Sequence, residues 1–234
     1  MLHGSTLSGC SGVPLHRDAD LLLLAGDIGR PEEVLRLFND WPTPVLYVLG
    51  NHEFYGREMN ATRELIRRMA VGTSVILLDS DEVGPEQFAR FETWYAPRRE
   101  KLEQIRFIGA TLWTDYAYPS SSACENHIAL RMNEAGRQLR DHRAISYGNK
   151  RFTPSDALAE HTLALNWLRQ RVVRPFGGKT VVMTHHGPSA KSVHPRYRGS
   201  PLNVILPPYF RTRAIRNVAP ARSEQDAVGQ RDAA

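Results

Sequence analysis

Short, continuous apolar runs alternate with polar segments of helical spacing along most of the chain. Residues 21–25 are apolar and are closed by Gly26 and Asp27, a pattern that predicts a strand buried on both faces. Pro31 then opens a segment with Glu32 and Glu33 in its first turn, where negative charge complements a helix N-terminus. Val34, Leu35 and Phe38 give that segment one apolar face, and Pro42 and Pro44 end it. Residues 45–49 repeat the buried-strand pattern and stop at Gly50. Strand, helix, strand predicts a parallel pair joined by a right-handed crossover. Helical spacing returns over residues 58–70 through Met59, Leu65, Ile66 and Met69, and residues 75–78 and 107–112 predict further strands. Residues 121–145 are polar with scattered apolar positions, which predicts a helical excursion. Thr153-Pro154-Ser155-Asp156 carries a cap, a proline and an acidic third position, the start of a helix whose stripe is Leu158, Leu165, Leu168 and Val172. Gly177-Gly178 closes it, and residues 180–183 predict another strand. Alternating strands and helices make this an α/β chain.

Composition narrows the class. With 234 residues, 41% hydrophobic and 24% charged, the chain can bury a sizeable core, which excludes wholesale disorder. No apolar run approaches the ~20 residues needed to span a bilayer. Residues 1–12 lack the basic and apolar regions of a secretory signal. Two cysteines, Cys10 and Cys124, form no CxxC and no disulfide framework, so a cytoplasmic location is expected, without a membrane partner. Residues 187–234 hold eight basic and three acidic side chains and so carry the whole net charge of +5. Such a tail can meet acidic surfaces, yet no aromatic–basic interleaving or nucleic-acid motif accompanies it. A nucleic-acid partner is therefore not expected.

Three polar clusters directly follow three predicted buried strands: Gly26-Asp27, Gly50-Asn51-His52-Glu53 and Thr184-His185-His186-Gly187. In α/β sheets, ligands gather beyond the carboxyl ends of strands, so the three clusters can face one crevice. Taken singly, Gly-Asp and Gly-Asn are ordinary turn formers, and a histidine at a strand end usually makes a structural hydrogen bond. Their conjunction is different. Carboxylate, amide oxygen and imidazole form a mixed O/N donor set suited to divalent Mn, Fe or Zn.

With these motifs the chain resembles the calcineurin-like metallophosphoesterases, whose pattern runs Asp-x-His, Gly-Asp, Gly-Asn-His-Asp/Glu, a strand-end His, then Gly-His-x-His. Gly26-Asp27, Gly50-Asn51-His52-Glu53 and His185 match the three central elements in order, and the likeness extends over about residues 20–203, including the segments 111–116 and 192–197. The resemblance implies stacked mixed β-sheets flanked by helices. It implies that Asp27 bridges two metals, that Asn51 and His185 bind the second, and that His52 acts on the phosphate and the leaving oxygen without binding metal. Glu53 then orients its loop, and His186 either touches phosphate or packs. Asp115 and Tyr116 stand at a strand end that reaches the cleft. The substrate would be a phosphomonoester or phosphodiester.

The family's opening Asp-x-His and closing Gly-His-x-His are not matched. His3, in Met1-Leu2-His3, stands where the first motif's histidine would, with Met1 in place of the aspartate, and is a further metal candidate. The expected organisation is an incomplete metallophosphoesterase domain over residues 1–205, missing its first strand and C-terminal strands, followed by a divergent, poorly ordered basic tail over 206–234. Two functional readings follow: a metal-dependent phosphoesterase, impaired by the missing ligands, or a non-catalytic relative that keeps the fold.

Overall fold

The computed structural model describes residues 20–117, 125–188 and 192. The expected losses at both ends, His3 and the basic tail lie outside the described residues.

Chain order is β1 (Leu22–Ala25), α1 (Pro31–Phe38), β2 (Val45–Val48), β3 (Arg57–Glu58), α2 (Met59–Ala70), β4 (Val75–Leu77) and β5 (Asp81–Val83). Three single-turn helices follow, α3 (Pro85–Phe88), α4 (Glu92–Tyr95) and α5 (Arg99–Leu102). Then come β6 (Ile105–Ala110), α6 (Glu125–Gln138), α7 (Asp141–Ala144), β7 (Ile145–Tyr147), β8 (Lys150–Arg151), α8 (Pro154–Val172) and β9 (Lys179–Thr184). Among the described residues the strands form three small sheets, ordered β1-β2-β4, β5-β6-β9 and β3-β7-β8.

Alternation along the strands stacks the first two sheets face to face. In β2, Leu46 and Val48 join Ile76 and Leu78 on one face, and they pack against Val83, Phe107, Val181 and Met183 of the second sheet. Their neighbours Val45 and Tyr47 turn the other way, onto Val34, Leu35 and Phe38 of α1 and Met59 and Ile66 of α2. On the far side, Ile108 and Ala110 of β6 meet Ala164 and Leu168 of α8. The result is a four-layer helix–sheet–sheet–helix sandwich with an apolar cluster between each pair of layers, as the resemblance implied. Gly109 sits at a close approach of the two sheets: a Cβ there would stand 2.9 Å from the Leu78 Cβ and 3.0 Å from Val48 Cγ2.

The predicted β-α-β unit is present, with β1 and β2 parallel and Pro31 at the start of α1. The cap of α8 also forms, Thr153 and Asp156 accepting from each other's backbone N–H groups. Its buried stripe, however, runs through Ala157, Ala164 and Leu168, with Leu158 and Leu165 only partly covered. Ala164 lets the helix lie close to β6, while Ala157 packs into the cluster that holds Trp113 and Phe152. Within the polar stretch 121–145, residues 125–138 and 141–144 are helical and Ile145 begins β7. β5 and the two-residue strands β3 and β8 carry no pattern a sequence can show, because they are short and β5 begins with two acidic residues.

Candidate functional site

The carboxyl ends of β1, β2 and β9 meet at one end of the sandwich, and cross-links between the two sheets hold them there. Thr111, just beyond β6, donates its hydroxyl to the Leu49 carbonyl at 2.9 Å, and its own carbonyl accepts the His186 N–H at 3.0 Å. His185, just beyond β9, donates from Nδ1 to the Ala25 carbonyl of β1 at 2.8 Å. Because a carbonyl can only accept, Nδ1 carries the proton and the Nε2 edge is turned toward the cleft.

That edge faces two oxygens. Asn51 Oδ1 lies 3.1 Å and Asp27 Oδ1 3.5 Å from His185 Nε2. Donor atoms bound to one cation at ~2.1 Å stand about 3.0–3.4 Å apart, so these separations suit ligands of a shared divalent ion. The imidazole–carbonyl bond is also the arrangement that orients a metal-binding histidine. Among the described residues no three His, Cys, Asp or Glu side chains gather at metal-binding distance. The donor set here has two of those residue types, Asp27 and His185, and depends on the amide of Asn51 for its third member.

The close approach requires glycine. A Cβ on Gly26 would lie 2.5 Å from the Gly50 nitrogen and would collide with His185 Nδ1. On Gly50 it would collide with Asp27 Oδ1 and lie 2.8 Å from His185 Cε1. Asp27 itself takes φ +56°, a left-handed conformation uncommon outside glycine. Glu53 holds this backbone in place. Its buried carboxylate accepts from the N–H groups of Asp27 (2.9 Å), Ile28 (2.8 Å) and Gly50 (2.8 Å) and from the Tyr47 hydroxyl (2.9 Å). One side chain therefore ties the loop after β1 to the loop after β2. Burial, and then the adjacent Glu53 charge, push the Tyr47 phenol well above its usual range, so it stays a donor.

His52 lies in the 3₁₀ turn His52–Phe54 with its side chain half exposed. Its backbone N–H donates to Asp27 Oδ1 at 3.1 Å, its ring Nδ1 stands 3.6 Å from Asp27 Oδ2, and the ring packs on Tyr55 with centroids 4.5 Å apart. His186 is buried against Trp113, with Nδ1 3.2 Å from the Thr111 carbonyl. Burial first, and the neighbouring His185 second, hold its imidazole well below the usual pKa, which fits packing rather than phosphate contact. Asp115 is exposed and accepts from the Ala117 N–H at 2.9 Å, whereas Tyr116 is buried with its hydroxyl 3.4 Å from His142 Nε2.

Two residues on the opposite flank are not among the sequence candidates. Asp141 Oδ1 accepts from Asn51 Nδ2 at 2.8 Å and from the Tyr55 hydroxyl at 2.5 Å. The available signal was Tyr55 itself, four residues after Asn51; Asp141 is 90 residues away in a polar segment.

Comparison with known sequences gives the family. The profile of calcineurin-like phosphoesterases matches residues 11–205. The chain belongs to that family. An uncharacterized protein of Acanthamoeba polyphaga mimivirus is 24% identical over 187 residues, which cover 73% of this chain and 56% of the relative, so the chain spans about half the length of the curated relative it matches. No solved structure matches significantly. Membership in this family suggests metal-dependent phosphoester hydrolysis, and its members typically use divalent metals.

Proposed function

We propose that this phosphoesterase-family chain hydrolyses a phosphomonoester or phosphodiester with water, using a divalent ion held by Asp27, Asn51 and His185. The observation that carries this reading is the approach of Asp27 Oδ1 and Asn51 Oδ1 to within 3.5 Å of His185 Nε2, with His52 exposed beside them. Mn, Fe or Zn suits this donor set and, when bound, polarises the phosphoryl group and activates water. Asp27 and Asn51 supply oxygens, and His185 supplies a nitrogen oriented by the Ala25 carbonyl. His52 binds the phosphate and delivers a proton to the leaving oxygen, with Nδ1 steadied by Asp27 and Nε2 left for the substrate. Glu53 contributes by fixing the backbone that presents Asp27 and Asn51.

The test is turnover of an aryl phosphate and a bis-aryl phosphate diester by the purified full chain with Mn²⁺. Hydrolysis lost in Asp27→Ala is expected. Equal rates in the two proteins would assign the activity to a contaminant. Metal binding without turnover in any metal would favour the non-catalytic alternative, which draws support from the small number of His, Cys, Asp and Glu donors gathered among the described residues.

A further inference from the structure

An asparagine ligand has an ambiguity that aspartate and histidine lack. Its oxygen and nitrogen ends are nearly the same shape, but only the oxygen can face a cation; the flipped amide would aim two N–H groups at it. Something must select the orientation. At this site the amide nitrogen of Asn51 is engaged from the far side by Asp141 Oδ1 at 2.8 Å, and an ionised carboxylate can only accept. The same oxygen accepts from the Tyr55 hydroxyl at 2.5 Å, and Asn51 Nδ2 also lies 3.3 Å from that hydroxyl. Asn51 and Asp141 are both buried, so water does not readily replace these contacts. No Lys, Arg or His ion pair with Asp141 forms among the described residues.

The backbone delivers Asp141 deliberately. β3 pairs in parallel with β7, aligning Arg57 with Ile145, and the Gly56 N–H donates to the Ala144 carbonyl at 2.7 Å. That junction seats α7, with Asp141 as its first residue, beside the turn that carries Asn51. We propose that Asp141 is a positioning residue: with Tyr55 it locks the Asn51 amide so that Oδ1 faces the cleft alongside His185 Nε2 and Asp27 Oδ1. This rests on the metal-site reading above, and it predicts that Asp141 sets affinity for the ion without touching it.

Calorimetric titration of the full chain with Mn²⁺ tests the inference, with urea unfolding of the metal-free protein run in parallel. Asp141→Leu should weaken Mn²⁺ binding by about 10- to 100-fold, the usual effect of losing a group that orients a ligand. Asp141→Asn, which keeps an acceptor oxygen, should lose less. Asn51→Asp alone sets two carboxylates against each other and should bind poorly. The double variant Asn51→Asp/Asp141→Asn exchanges carboxylate and amide, reverses the hydrogen bond and should recover affinity, which a merely structural role would not produce. Should Asp141→Leu fail to fold, the other variants decide. Binding within twofold of wild type in Asp141→Asn, with no recovery in the double variant, overturns the inference provided that Asn51→Leu still abolishes binding. Wild-type protein that binds no divalent ion overturns the metal site itself, and this inference with it.

Discussion

Asp27, Asn51 and His185 on one side of the cleft are carried by the ends of β1, β2 and β9, strands whose neighbours are buried in two stacked cores. On the other side, Asp141 and Tyr55 reach Asn51 through α7 and the two-residue strand β3. The first flank is braced by backbone: glycines that admit no Cβ, a carbonyl that fixes His185, and Glu53 accepting four hydrogen bonds. The second flank is braced by side-chain contacts on a small sheet of short strands. Position therefore comes from the strand ends, and orientation of the asparagine from the flank. Damage to the first should remove the site; damage to the second should loosen it.

The largest effect is expected from Asp27→Ala, which takes away a donor on the strand-end side. Bound Mn²⁺ measured by elemental analysis after gel filtration should fall to background and hydrolysis should vanish together with it. Retained metal would show that the other two side chains suffice. His52→Ala separates chemistry from binding: turnover should drop by about 10²- to 10⁴-fold with Mn²⁺ affinity little changed. The drop should be smaller for an aryl leaving group than for an alkyl one, since a good leaving group needs less proton donation. A matching fall in metal affinity would instead make His52 part of the ion site.

Glu53→Ala should cost about 3–5 kcal/mol in urea unfolding, because it strips the acceptor from buried N–H and O–H donors. A loss below ~1 kcal/mol would mean that the strand-end loops hold themselves. Thr153→Ala is a control on a distant brace. Removing the α8 cap should cost about 0.5–2 kcal/mol with Mn²⁺ affinity unchanged.

The smallest effect concerns acid. Burial holds the His142 imidazole below its usual pKa, so below about pH 6.5 the unfolded chain takes up a proton that the folded chain refuses. Stability should therefore fall as pH drops from 7 to 5.5, and less steeply in His142→Gln. An equal slope in the variant would assign the acid sensitivity elsewhere.

The two flanks also differ in how far the sequence reveals them. Asp27, Asn51 and His185 each follow an apolar run and a turn, so local pattern shows both the strand and the residue at its end, and the strand-end rule places them together. The role of Glu53 was implied by the family resemblance, and its bond to Gly50 spans only three residues. Asp141 was not. It reaches Asn51 only because Arg57 aligns with Ile145 across a parallel pairing of two residues per strand, too short to leave a periodic signature. Ala157 and Ala164 of α8 leave no pattern for a different reason: close packing selects small residues, whereas a helical stripe shows in large ones.

Joint binding of a divalent ion by Asp27, Asn51 and His185 is the proposal on which the others depend. Its most direct test is calorimetric titration of Mn²⁺ into the full chain and into Asn51→Leu, with far-ultraviolet circular dichroism confirming the fold of both. Asn51 is the informative choice because its amide is the donor that lies outside the His, Cys, Asp and Glu set. Tight binding is expected in the wild type and its loss in Asn51→Leu; equal affinity in the two proteins would overturn the shared site.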